Sequence, residues 1–227
     1  MKNYADYYMK YSRSIGNIFL VWRQSIGKRR NIVGVIRRNS TDGIRFKYTI
    51  SEKEAKEIGF TPYVDFPNLD NLYTTNVLEV FSLRLTKPER PDIDSYYEFW
   101  EIEPKFQQDK FYLLAHTQGL LATDNFEFIA DYNPQKGLSF VSEICGLSHT
   151  NPPADVIEVG DKLHWEKEPT NQYDQNAVKL FKDDIFLGYV KTKHCNIFSK
   201  TQRLNVYVKH IDRNGRLHRV FIKISVH

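Results

Sequence analysis

Only two cysteines occur in the 227 residues, Cys145 and Cys195, far apart and with no Cys-x-x-Cys pair or neighbouring His pair. That spacing excludes a disulfide framework and a cysteine-based zinc site, and both thiols read as reduced, small core residues. No stretch approaches the roughly 20 consecutive apolar residues of a membrane span. The opening MKNYADYYMK holds no apolar run of the signal-peptide kind, so a cytoplasmic protein is expected. A Gly-rich phosphate loop is also missing, as is a helical lobe with room for a catalytic and a metal-binding Asp, which excludes a kinase core. His116, His149, His164 and His194 share no acid, base or ligand spacing. No catalytic residue, cofactor or metal is therefore expected. One enzymatic alternative stays open, a small Mg²⁺-dependent nuclease using Asp174, Asp183 and Asp184, although two adjacent acids before Ile185 read more simply as a turn.

What is present is the composition of a folded chain: 41% hydrophobic, 26% charged and 14% aromatic residues. The net charge of +4 hides a strong pattern. Residues 1–50 carry 11 Lys and Arg against 2 Asp and Glu, residues 51–137 carry 8 against 16, residues 138–185 carry 4 against 9, and residues 186–227 carry 9 against 1. The two basic blocks suit a polyanion; as solvated strand faces they suit the acidic middle equally.

Periodicity divides the chain in two. Ile18-Phe19-Leu20-Val21 and Asn31 to Ile36 read as strands joined by the basic loop Arg23 to Arg30. After the turn formers Arg38 to Gly43, Ile44, Phe46, Tyr48 and Ile50 alternate with polar residues, completing a β-meander. Ser51 and Glu54 have capping-box spacing and Gly59 is placed to stop the helix they begin. Ile93, Tyr96, Tyr97 and Trp100 form an apolar stripe on a helix about three turns long, and another helix is predicted over Asp109 to Thr117 with Gly119 as its stop. The turn-rich Asp131 to Gly137 marks a domain boundary, giving domains 1–132 and 138–227. Beyond it, Leu204, Val206 and Val208 alternate, Asn214-Gly215 supplies a tight turn, and Val220, Ile222, Ile224 and Val226 alternate again. This predicts a C-terminal hairpin whose other face carries Tyr207, Lys209, Arg219, Phe221 and Lys223. The fold class is α+β: a β-meander with helices, then a small β-barrel-like module.

Between the acidic strand and the hairpin stands Glu168-Pro169-Thr170-Asn171-Gln172-Tyr173-Asp174-Gln175-Asn176-Ala177-Val178, followed by Leu187-Gly188-Tyr189-Val190. This resembles the signature of HIRAN domains, and the likeness runs from about Ser142 to the last strand. The resemblance implies a small barrel-like β fold that binds DNA, in its end-binding members a single-stranded 3′ end. Carried over by position, Tyr173 would stack on a terminal base and Asp174 would accept a hydrogen bond from the 3′ hydroxyl. As plain turn chemistry, Asn171, Asp174 and Asn176 would satisfy loop amides and Tyr173 would cap the core, a role that suits Asn176 best. The chain departs from the end-binding members in its first strand, where Ser142, Glu143 and Ile144 replace an Arg and aromatic residues. A general DNA surface is therefore expected from Tyr173, Asp174, Asn176, Tyr189, Lys191, Lys193, His194, Tyr207, Lys209, Arg219, Phe221 and Lys223.

In the first half, Phe19 to Trp22, Val33 to Ile36, Gly43 to Tyr48, Asn76 to Glu79 and Phe111 to Leu114 resemble the N-terminal subdomain of HipA-type serine/threonine kinases. That resemblance implies docking to a HipA-like kinase partner, as an antitoxin in a toxin–antitoxin setting. The function expected overall is a non-catalytic bacterial adaptor. A stand-alone structural DNA-binding protein is a further alternative.

Overall fold

A computed structural model of the chain describes residues 14–25, 28–39 and 41–227. The opening decapeptide, Ile26-Gly27 of the expected loop and Ser40 of the expected turn lie outside them. The described residues form two compact units: those up to Glu98 with Ile102–Asp131, and Phe99–Glu101 with Tyr132–His227. Among the described residues no helix is long and apolar enough to cross a membrane.

In the first unit β1 (Ile15–Trp22), β2 (Asn31–Asn39) and β3 (Gly43–Tyr48) pair antiparallel in sequence order, with Ile18 opposite Ile36 and Ile36 opposite Phe46. β4 (Leu72–Tyr73) and β5 (Phe126–Tyr132) extend the sheet to the order β4-β3-β2-β1-β5. Alternation decides the inward face: Phe46 and Tyr48 are buried while Lys47 between them is exposed. Phe46 meets Tyr48, Phe66 and Phe81 with ring centroids 4.7–5.2 Å apart. The capping box forms at α1 (Glu52–Ile58): Ser51 Oγ accepts from the Glu54 amide, Glu54 Oε2 accepts from the Ser51 amide at 2.8 Å, and Gly59 closes the helix at φ 72°. α2 (Val77–Ser82) and α4 (Lys110–Thr117) follow, the latter capped by Asp109, whose carboxylate accepts from the Phe111 and Tyr112 amides. The stop of α4 is Gln118, left-handed at φ 60°, one residue before the expected glycine.

The aromatic stripe also differs from expectation. α3 (Ile93–Phe99) makes about two turns rather than three, and Trp100 lies beyond its end. The helix is cut short because Glu101 turns left-handed at φ 56°.

The second unit is one curled sheet in the order β10-β11-β6-β9-β8-β7. Its strands are β6 (Ser139–Cys145), β7 (His164–Lys167), β8 (Val178–Lys182), β9 (Ile185–Val190), β10 (Leu204–Arg213) and β11 (Leu217–Val226). The expected hairpin forms with Val206 opposite Ile224 and Val208 opposite Ile222, and Gly215 turns it at φ 64°. Asp183-Asp184 is a two-residue turn between Lys182 and Ile185. Two short helices, α5 (Leu147–Thr150) and α6 (Ile197–Lys200), cover the ends of the core. The sheet closes on itself because Asp161 and Leu163, just before β7, bond to Val208 and Val206 of β10 at the opposite edge. Inside lie Phe140, Leu180, Leu187, Ile197, Phe198, Val206, Val220, Ile222 and Ile224, each fully buried.

The two halves of that sheet meet where β6 pairs with β9, through Ile144–Val190 and Cys145–Tyr189. Gly188 makes the approach possible. A Cβ there would lie 2.4 Å from the Cys145 carbonyl oxygen, and the residue sits at φ 150°. Backbone cannot yield as a flexible side chain does, so Gly188→Ala is expected to destabilise the second unit by about 2–4 kcal/mol, combining overpacking and backbone strain. Urea denaturation checks this; a variant as stable as the parent would show that the junction gives way freely.

Candidate nucleic-acid interface

The loop from Glu168 to Val178 joins β7 to β8 and is held by one carboxylate. Glu168 accepts from Asn171 Nδ2 at 2.7 Å and from the Tyr189 hydroxyl at 3.0 Å, and it pairs with Lys179 Nζ at 2.5 Å. These hydrogen bonds, first that of Asn171 and then that of Lys179, hold its pKa down at about 2. The Tyr189 hydroxyl moves the other way, raised by burial and by the same carboxylate. Fixed in this way, the Asn171 carbonyl oxygen caps the Tyr173 amide at 2.9 Å and the Asp174 amide at 3.1 Å, an Asx turn. Asp174 continues the pattern: Oδ1 takes the Asn176 amide at 2.9 Å, and Oδ2 lies 3.4 Å from the Thr192 hydroxyl and 3.6 Å from the Cys195 sulfur. Burial beside that carboxylate pushes the Cys195 thiol up to about 12.

Pinning the loop leaves Tyr173 at its apex with 79% of its surface exposed. The capping role in the core is therefore not taken by this ring. Loop amides are satisfied by Asn171 and Asp174; Asn176 is exposed and contributes its own amide to Asp174. Tyr189 faces Glu168, Thr192 reaches Asp174 through its hydroxyl, and Lys193 follows it at φ 65°.

The remaining candidates separate from the loop. Lys191 is fully buried with Nζ 3.1 Å from Glu143 Oε2, and Arg219 Nε binds the other oxygen of Glu143 at 3.0 Å. Leaving one partner of such a buried pair uncompensated costs about 3–5 kcal/mol, which keeps Lys191 inside and away from any phosphate. His194 is also interior, its Nδ1 2.9 Å from Ser142 Oγ. Phe221 is buried against Phe99 and Trp100, and Lys209 and Lys223 both pair with Glu101. Tyr207 lies half-exposed on β10, opposite Lys223. The residues that sequence reasoning missed are the carboxylates: Glu168, the first letter of the motif, and Glu143, already visible as a departure from the family pattern. Glu101 gave no signal, since its two lysine partners lie more than 100 positions away.

The second unit is thus a small β-rich module, a curled six-stranded sheet that presents a pinned loop with an exposed ring at its apex. Residues 137–211, which lie in the second unit, match the family model of the HIRAN domain. Two crystal structures are similar over part of the chain. One is of a protein from Lactobacillus plantarum, 21% identical, covering 40% of this chain and 96% of its own, with a TM-score of 0.33. The other is the HIRAN domain of human HLTF, 16% identical, covering 38% of this chain and 74% of its own, with a TM-score of 0.31. No curated protein matches the chain. The likeness of the first half to a HipA subdomain gains no support from these comparisons.

The lowered Glu168 carboxyl sets an acid dependence. Its folded pKa near 2 lies below the ordinary 4.5, so it stabilises the fold above about pH 5, and that contribution is lost as pH falls toward 2. Glu168→Gln is therefore expected to be less stable at neutral pH and to show a flatter decline between pH 5 and 2 than the parent. Urea midpoints measured across that range decide it; parallel curves for the two proteins would remove Glu168 from the account.

Proposed function

We propose that the second unit is a non-catalytic module that binds single-stranded DNA by stacking a base on Tyr173. The observation that carries this is the Tyr173 ring, 79% exposed on a loop fixed by Asn171 and Glu168 rather than left to move. An exposed aromatic on a fixed backbone loses little entropy when a base stacks on it, and stacking tolerates any base. Asp174 acts as a positioning residue, because both of its oxygens are already engaged by Asn176, Thr192 and Cys195.

Covalent chemistry is not part of the proposal. Asp183 and Asp184 form a hairpin turn, and among the described residues no group of three or more His, Cys, Asp or Glu converges on a possible metal position. We confine the function to the second unit, since the kinase-docking role expected of the first rests on short apolar motifs alone.

Tyr173→Ala is expected to weaken binding of a short single strand about 5- to 150-fold, the loss of one stacked base, while duplex affinity changes little. Fluorescence anisotropy with matched oligonucleotides reads this; equal losses for both forms, or none, would sink the stacking role. With Ser142, Glu143 and Ile144 in the first strand and Asp174 engaged, 3′-hydroxyl and 3′-phosphate ends should bind alike. A preference for the free hydroxyl that Asp174→Asn abolishes would instead make Asp174 the end reader. Incubation of the full chain with DNA and Mg²⁺ or Mn²⁺ should leave the DNA uncut, and cleavage that disappears in Asp183→Ala/Asp184→Ala would establish the nuclease alternative.

A further inference from the structure

The outer face of the β10–β11 hairpin is rich in rings and cations, yet it is covered from within the second unit. Phe99 stands edge-on to Phe221 at 5.2 Å and to His210 at 6.0 Å, and Trp100 stands edge-on to Phe221 at 6.0 Å. The next residue, Glu101, takes Lys209 on Oε1 and Lys223 at 2.8 Å on Oε2, with the Ser139 hydroxyl 3.1 Å from Oε2. Burial alone would raise the Glu101 carboxyl, but the two lysine hydrogen bonds outweigh it and hold it below the ordinary range. Lys209 Nζ also lies 5.9 Å from the centre of the Phe99 ring, and the Arg219 guanidinium 4.3 Å from that of Phe221.

We propose that this hairpin face is a second nucleic-acid surface, and that Phe99-Trp100-Glu101 occupies it as an internal stand-in for a single strand. A single strand offers flat rings along an anionic backbone, and proteins meet it with aromatic side chains interleaved with cations. The segment supplies the same pattern from the protein's own chain: rings against Phe221, then one negative charge shared by two ammonium groups. On this face Glu101 is shared by Lys209 and Lys223, and Arg219 lies against Glu143. Two lysines converging on one carboxylate also match the geometry in which a phosphate, with its several acceptor oxygens, is held. The proposal deepens the single-strand function above but uses residues distinct from the Tyr173 loop.

The test compares the full-length parent with Glu101→Gln, which keeps shape and removes charge, and with Phe99→Ala/Trp100→Ala, which loosens the segment and keeps both ion pairs. Each is checked for fold by its thermal midpoint, then titrated with a labelled 12-nucleotide oligothymidylate. Both variants should bind about tenfold tighter than the parent at low salt. In Glu101→Gln the slope of log K against log salt should steepen by about 1.4, two phosphate contacts on a single strand. Adding Lys209→Gln/Lys223→Gln to Glu101→Gln should return the affinity to the parental level. Unchanged affinity in whichever of the two variants folds would overturn the proposal. The two functions fail separately. A parent that binds through Tyr173 with no gain in Glu101→Gln defeats only the covered face. A parent that does not bind, beside a Glu101→Gln variant whose binding needs Lys209 and Lys223 but not Tyr173, defeats only the loop.

Discussion

The short junction between β6 and β9 is the constraint on which the second unit depends. Only two residue pairs span it, and they exist because Gly188 lets one backbone lie against the Cys145 carbonyl. Everything that defines the loop is measured from that contact. Tyr189, one residue past the glycine, delivers its hydroxyl to Glu168; Leu187, one residue before it, accepts the Thr150 hydroxyl at 2.7 Å. Lys191 and Thr192, just beyond the strand, reach Glu143 and Asp174. A single missing methyl group thus sets the spacing between the acidic loop and the rest of the sheet.

Features governed by near neighbours were legible in the sequence. The hairpin turn at Asn214-Gly215, the capping box of Ser51 and Glu54 and the meander of β1 to β3 each depend on residues a few positions apart, and each stands where periodicity put it. The Asx turn was half legible, with Asn171 and Asp174 in the amide-capping role and Asn176 outside it. The charge partners were not legible. Period-two alternation says which side of a strand a lysine takes, but not that Glu143 or Glu101 waits there from a distant part of the chain. Lys191 shows the limit well: past the end of β9 alternation no longer applies, and its burial follows from the Glu143 carboxylate.

Those carboxylates change how the basic C-terminal block works. Counted along the chain, residues 186–227 look like a uniform cationic surface. In the fold, Glu143 and Glu101 divide four of its cations into two bridged sets. Long-range attraction of a polyanion survives this, because it depends on net charge within a Debye length of about 8–10 Å. Close contact with phosphate does not, since each bridged ammonium already has a short-range anion. In the proposed function, attraction and contact thus fall to different residues, with the exposed ring of Tyr173 making contact without competing for a cation.

The closure of the sheet has its own consequence. Gly160, Asp161 and Leu163 bond to the outward backbone groups of Val206 and Val208, so the middle of the β10 edge is already paired. At the other edge β7 is only four residues long and carries His164, Glu166 and Lys167. A peptide that adds itself as an extra strand would find one border taken and the other short and charged. Molecules that associate with this unit must then be selected by its side chains, and neighbouring copies are denied the edge-to-edge pairing through which β-rich proteins aggregate.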